Sequence, residues 1–385
     1  MPPSIVPAVA SGIGVRRRVD AATRLRRFPV RYRNAVKDVA GRHHRLADLA
    51  RSFPALLFAL AVPRPGFDPS HVIDGVIAGA SLRDLAQRAG LPVWSRKLMP
   101  EAFEQPVCEL PADELVGRQI ANHLPRSPKL AARWLHAVNH VTMWGTPAAA
   151  VWIAREIAND PKGVFDARLN LVALYVWFSA APETSAGELV EKAWTSSMRF
   201  STALRNARDW FEAIALRAHL AGQPIRDAWL ASAVVDGFEF IPLCSESDIG
   251  DEAEAMQNCV RSLSWGVRQN RLRLWSVRRG GERVATLQLG RRYGDPLLQV
   301  VQLKGPKNAT ASAPVWWAAR KWLHGHDLSV IAPVTFKEAL PLDRRGWIEL
   351  WRPYWLAKQR LPVWLPLAPS AKAISDLNHW QRLPF

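Results

Sequence analysis

Cysteine is nearly missing from this chain. Cys108, Cys244 and Cys259 are all it has, and their odd number and wide spacing exclude a disulfide framework and a CxxC zinc pattern, which suits a reducing cytoplasm. Long apolar runs are missing too. The most apolar stretches, residues 53–62 and 169–181, fall short of the ~20 residues that span a bilayer, so both are expected as buried helices and no membrane is expected as a partner. The basic N-terminus leads into more arginines and not into an apolar segment, so a secretory signal is not expected and the predicted location is cytoplasmic. No repeat of fixed period, glycine-rich phosphate loop or acidic ligand cluster is found. Accordingly no catalytic residue, metal ligand or cofactor is assigned.

Negative charge is scarce, with 34 acidic residues against 51 Lys and Arg, a formal net charge of +17. The excess is concentrated. Residues 1–45 carry +9 and residues 259–330 carry +10, which leaves the remainder at −2. Concentrated positive charge favours phosphate polyanions through counterion release, so DNA or RNA is the partner that the charge suggests.

In chain order, residues 1–45 contain Arg16, Arg17 and Arg18 and show no sustained helical stripe, and so are expected as a flexible basic arm. Residues 46–235 show helical spacing punctuated by proline, with helices expected around 114–123, 129–143, 147–157, 170–179, 185–197 and 202–219. Residues 81–98 have the outline of a helix-turn-helix, with Ser81 as N-cap and Gly90 in the turn; Pro92 and Arg96 speak for two scaffold helices instead. His136 and His140 have metal-ligand spacing on a helix but lack an acidic or thiol partner, and are read as packing histidines. Residues 331–385 are rich in Trp and Pro, including Trp347, Trp351, Trp355, Trp364 and Trp380. They are expected to pack on the body as an irregular tail, since proline at this density interrupts helices.

Residues 236–330 hold the densest signals. Asp248 or Ser247 caps a helix on which Met256, Cys259, Val260 and Leu263 share one face, so Cys259 is expected to point into a core. Strands at 272–277 and 284–289 flank Gly280-Gly281, a third follows at 297–303, and a helix is predicted over 313–324. Alternation sets Leu272 and Leu274 on one strand face and Arg271 and Arg273 on the other, giving a sheet with a partly cationic outer face. The fold class expected is therefore α+β: a mostly helical N-terminal region followed by a small antiparallel three-stranded meander flanked by helices.

Four runs within this module resemble the PcfJ-like family: Asn258-Cys259-Val260, Ser276-Val277-Arg278-Arg279, Ala285-Thr286-Leu287-Gln288-Leu289, and Gln302-Leu303-Lys304-Gly305-Pro306-Lys307-Asn308. The resemblance covers about a quarter of the chain. It implies association with conjugative plasmids, phage or other mobile elements and their protein partners, and no established activity. The family's His-Cys pair is broken, because Asn258 stands at the His position, and Arg261 replaces its Gly.

Three functions remain open from the sequence. The first is a nucleic-acid-associated accessory protein using Arg271, Arg273, Lys304, Lys307 and Arg16 to Arg18, with the Lys304-to-Asn308 turn as either an anion seat or a plain strand-to-helix turn. The second is an enzyme of unknown reaction using Cys259, Thr286, Gln288, Gln302 and Asn308, with no evident base. The third is an interaction scaffold docking a partner on the helices and on Trp351 or Trp355.

Overall fold

The structure, a computed structural model, describes residues 23–107, 109–164, 168–291, 297–328, 344–365 and 372, 374, 375 and 377. Arg16, Arg17, Arg18, Cys108 and Trp380 lie outside the described residues. Two compact units divide the chain, one of residues 1–180 and 193–206 and the other of residues 181–192 and 207–385.

The first unit is helical in its described residues. Its helices are α1 (Val30–Gly41), α2 (His44–Ser52), α3 (Pro54–Ala61), α4 (Ser70–Ala78), α5 (Leu82–Arg88), α6 (Glu114–Ala121), α7 (Pro128–Trp144), α8 (Pro147–Asn159) and α9 (Leu169–Ser179). Proline at N1 starts α3, α7 and α8, where its missing N–H costs nothing. Helix α1 corrects the reading of the basic segment as an arm: from Val30 onward it is helix, with Val36, Val39 and Ala40 buried. Phe28, Phe58 and Phe103 stack inside this unit, with centroids of 4.9 Å for the Phe58–Phe103 pair. Trp134 donates its indole N–H to the Ala154 carbonyl at 3.0 Å, which ties α7 to α8. The two apolar stretches are helices: α3 is almost wholly buried, and α9 buries eight of its eleven residues.

The helix-turn-helix outline holds for one helix. Ser81 caps α5 by accepting from the Asp84 N–H, but residues Val93–Lys97 form a five-residue 3-10 turn. That turn is too short to lie in a major groove as a recognition helix. Residues 185–197 are turns and not the helix expected there; Thr184 Oγ1 accepts from the Gly187 N–H and closes one of them.

Helix α10 (Phe200–Leu220) begins in the first unit and continues into the second. The second unit is built on a sheet of five antiparallel strands in sequential order. They are β1 (Ala233–Val235), β2 (Phe238–Pro242), β3 (Leu272–Arg279), β4 (Glu282–Gly290) and β5 (Gln299–Lys304). This overturns the expected three-stranded meander; the fold is α+β and mostly helical, with a five-strand antiparallel sheet. The two extra strands form a hairpin over Asp236-Gly237, both at positive φ, as Gly280 and Gly281 are between β3 and β4. Such paired left-handed residues make the turn whose twist matches that of the strands.

Helix α11 (Glu246–Met256), a 3-10 turn at Val260–Leu263 and α12 (Ser264–Arg268) connect β2 to β3; α13 (Ala313–His324) and α14 (Arg344–Lys358) follow β5. The sheet has a core on each side. Phe240, Trp275, Leu287 and Leu303 pack with Val315, Ala318 and Trp322 of α13. Leu272 and Leu274 pack with Ile249, Ala253, Val260 and Val267 of the connecting helices. Strand β3 is thus buried on both faces over its first six residues, and the half-exposed sheet expected from alternation is corrected. Proline density did not prevent a helix near the C-terminus either. Helix α14 contains Pro353 and buries Trp347, Trp351 and Tyr354.

Candidate functional site

The four motif runs come together around β4. Helix α11 ends because Gln257 takes a left-handed conformation (φ 49°). Its N–H bonds the Glu254 carbonyl and that of Asn258 bonds Ala253, a Schellman closure. The chain therefore leaves the helix before Cys259. This corrects the expectation of a core-facing thiol: Cys259 is exposed, and its helical face was extrapolated past the real C-cap.

Asn258 is turned the other way, toward the sheet. Its Nδ2 donates to Thr286 Oγ1 at 2.8 Å, while its Oδ1 accepts from the Val260 N–H. Thr286 in turn donates to Glu252 Oε1 at 2.7 Å. The second oxygen, Oε2, accepts from Arg283 Nε at 3.0 Å, so Glu252, wholly buried on α11, is paired with a guanidinium that reaches solvent. A buried carboxylate is tolerable only when compensated in this way. Every member is satisfied, and the cluster clamps α11 onto β4.

Beyond β5 the chain makes a tight loop. Lys304 bridges Thr310, and the Gly305 N–H bonds the Ala309 carbonyl at 2.8 Å. Inside it Lys307 and Asn308 both hold positive φ (55° and 59°), a conformation that asparagine tolerates better than most residues. The loop sets Asn308 Oδ1 3.6 Å from Cys259 Sγ, which donates to it weakly. An amide oxygen accepts a hydrogen bond but is no base, so Asn308 is not a general base for this cysteine.

A second feature lies along the same strand pair. Gln288 and Gln302 face each other across β4 and β5, and the register shifts by one residue just beyond them. They line a groove of about 380 Å³ together with Val301, Leu303, Lys304, Thr310 and Trp316. Among the described residues, the side chains of Gln288, Gln302, Lys304 and Thr310 have no hydrogen-bond or ion-pair partner. The residue after Trp316, Trp317, is 66% exposed, and the Arg320 guanidinium lies over its ring at 5.6 Å.

The other predicted residues fall as follows. Arg273 is buried: its guanidinium donates to the Asp227 and Leu272 carbonyls and to Asn270 Oδ1, and lies 4.5 Å from the Trp229 ring centroid. It is an internal brace and not the outward cation expected. Arg271 is exposed and immediately precedes β3. Arg278 donates to Ser276 Oγ at 3.3 Å, and Arg279 sits over Phe238. Val260 is buried in a core, Gly305 and Pro306 shape the loop, and Lys307 is exposed on it. Trp351 is buried and Trp355 half-buried. His136 and His140 place their rings 4.8 Å apart in the first unit. The sequence reading missed Glu252, Arg283 and Thr310. Glu252 did carry a signal, as a carboxylate three residues after Ile249 and four before Met256, on the apolar face of α11.

Two strongly perturbed groups lie elsewhere in the second unit. Burial, with help from Asp209, raises Glu212 to about 6. Burial, with help from Arg268, lowers His219 to about 4, and its Nδ1 pairs with Ser264 Oγ at 2.8 Å. Among the described residues no helix is long and apolar enough to cross a membrane. No protein-family model matches this chain, and no curated protein or solved structure is detectably similar to it.

Proposed function

We propose that this chain is a nucleic-acid-associated accessory protein, PcfJ-like in kind and serving a plasmid or other mobile element, and that it engages DNA or RNA at the groove beside β5. One observation carries the reading: the groove gathers an ammonium group, two amides, a hydroxyl and an aromatic side chain, and the polar groups among them are unspent. Buried polar groups are normally hydrogen-bonded internally; these side chains are half-buried or, for Thr310, exposed, and face solvent. Those left open in one concave place are available to a ligand, and Lys304 and the nearby Lys307 favour an anionic one. The net charge of +17 adds a general attraction for polyanions. The mobile-element assignment rests on the four PcfJ-like runs alone.

Binding of labelled DNA and RNA by the purified chain, read by fluorescence anisotropy across a salt series, tests this. Replacing both Lys304 and Lys307 by alanine should weaken binding to every sequence and reduce the log–log salt slope by about two. No binding to either polymer at low salt would overturn the proposal.

A further inference from the structure

We infer that the groove holds an unpaired base with its adjoining phosphate, so that the ligand is a single strand and not a duplex. This rests on the nucleic-acid reading above and deepens it. A duplex keeps its bases stacked inside and is read by a protruding helix or ribbon that enters a groove of the nucleic acid. Here the shape is reversed. The protein supplies a shallow, open groove of about 380 Å³ beside β5. A splayed-out heterocycle fits such a space, whereas a base within a stack cannot reach it.

The lining matches the chemistry of a base. Gln288 and Gln302 stand opposite each other on β4 and β5, and each amide offers a carbonyl acceptor and two N–H donors. Side by side, they can pair with the mixed donor and acceptor edge that an unpaired base exposes. Trp316 contributes an aromatic wall. Trp317, which follows Trp316 in α13, is exposed with Arg320 over its ring and offers a stacking surface for a further base, since every base has a face that stacks on an aromatic ring or a guanidinium. Lys304 pairs in register with Thr286 and borders the groove, where its ammonium reaches the phosphate that joins the two nucleotides. Base, face and phosphate each have a counterpart.

The test compares one short labelled DNA strand, the same sequence as RNA, and the blunt DNA duplex, against the full chain. The variants are Gln288→Ala with Gln302→Ala, Trp317→Ala, and Lys304→Ala. Either single strand should bind at least about tenfold more tightly than the duplex. The paired glutamine variant should lose roughly tenfold in single-strand affinity with little change for the duplex, and Trp317→Ala should show a smaller loss. Lys304→Ala should weaken all ligands and flatten the salt slope. Trp317 is largely exposed, so its variant keeps the test interpretable if the glutamine pair affects folding, which urea unfolding will reveal. Duplex bound as tightly as single strand would overturn this inference and leave the nucleic-acid reading standing. Single-strand binding untouched by the glutamine and tryptophan changes would overturn the groove assignment. Failure of every polymer to bind at low salt would overturn both.

Discussion

Thr286 and Gln288 are two residues apart on one strand, and their surroundings are opposite. Around Thr286, each polar atom has been answered: Asn258 donates to its hydroxyl, the hydroxyl donates to Glu252, and Arg283 completes the carboxylate. Around Gln288, the polar side chains of Gln302, Lys304 and Thr310 have no described partner, and the surface is concave. The first place is a clamp and the second is an open groove. Polarity alone does not separate them, since both gather amide, hydroxyl and charged side chains. The separating quantity is how much hydrogen-bonding capacity the fold itself consumes.

The comparison can be broken most severely at Glu252. Replacement by alanine leaves Thr286 Oγ1 and Arg283 without their acceptor inside a closed interface, and should cost about 3 kcal/mol in urea unfolding. A loss near zero would mean that the cluster is not a clamp.

Arg273 offers the next test. It was expected to be an outward cation and instead braces the start of β3 through Asp227, Asn270 and Trp229. Arg273→Ala should destabilise by about 2 kcal/mol and leave the salt dependence of nucleic-acid binding as it was. A reduced salt slope with unchanged stability would return it to the binding surface.

The pH response follows. The unfolded chain protonates His219 near 6.5, while the folded chain resists until about 4. Its contribution to stability is complete above 6.5 and is lost as pH falls toward 4. Glu212 acts in the other direction. Its folded value of about 6 lies above the ordinary 4.5, so its contribution is complete below 4.5 and is lost as pH rises through about 6. His219→Asn should flatten the acid limb of urea-unfolding stability against pH, and Glu212→Gln should remove the opposing slope. An unchanged profile in both variants would place the pH dependence elsewhere.

The smallest effect belongs to the open end of β4. Gln288→Ala with Gln302→Ala should leave unfolding stability within about 0.5 kcal/mol, because these amides support nothing inside the protein. A larger loss would show that the groove is as structural as the clamp.

Much of the architecture was legible. Gly280-Gly281 between alternating runs announced the β3–β4 hairpin, and helix α13 occupies the residues that its spacing indicates. The β1–β2 hairpin was equally announced by Asp236-Gly237, but β1 is three residues long and too short to show alternation. Cys259 was misplaced because helical periodicity was carried through Gln257, whose left-handed φ ends α11. Arg273 was misplaced because alternation sorts residues between two faces without saying whether the second is covered. The convergence of Cys259 with Asn308, 49 residues further on, leaves no periodic trace.

By itself the sequence determined the periods, the turns and the charge. These are local properties, set by φ preference, side-chain spacing and the sign of each ionisable group. It marked the segment from Asn258 to Asn308 as unusual without saying why. Only the tertiary structure decided which of its polar groups are spent and which remain available. Satisfaction depends on partners that arrive from distant parts of the chain, and no window of residues contains both halves of a hydrogen bond that spans a fold.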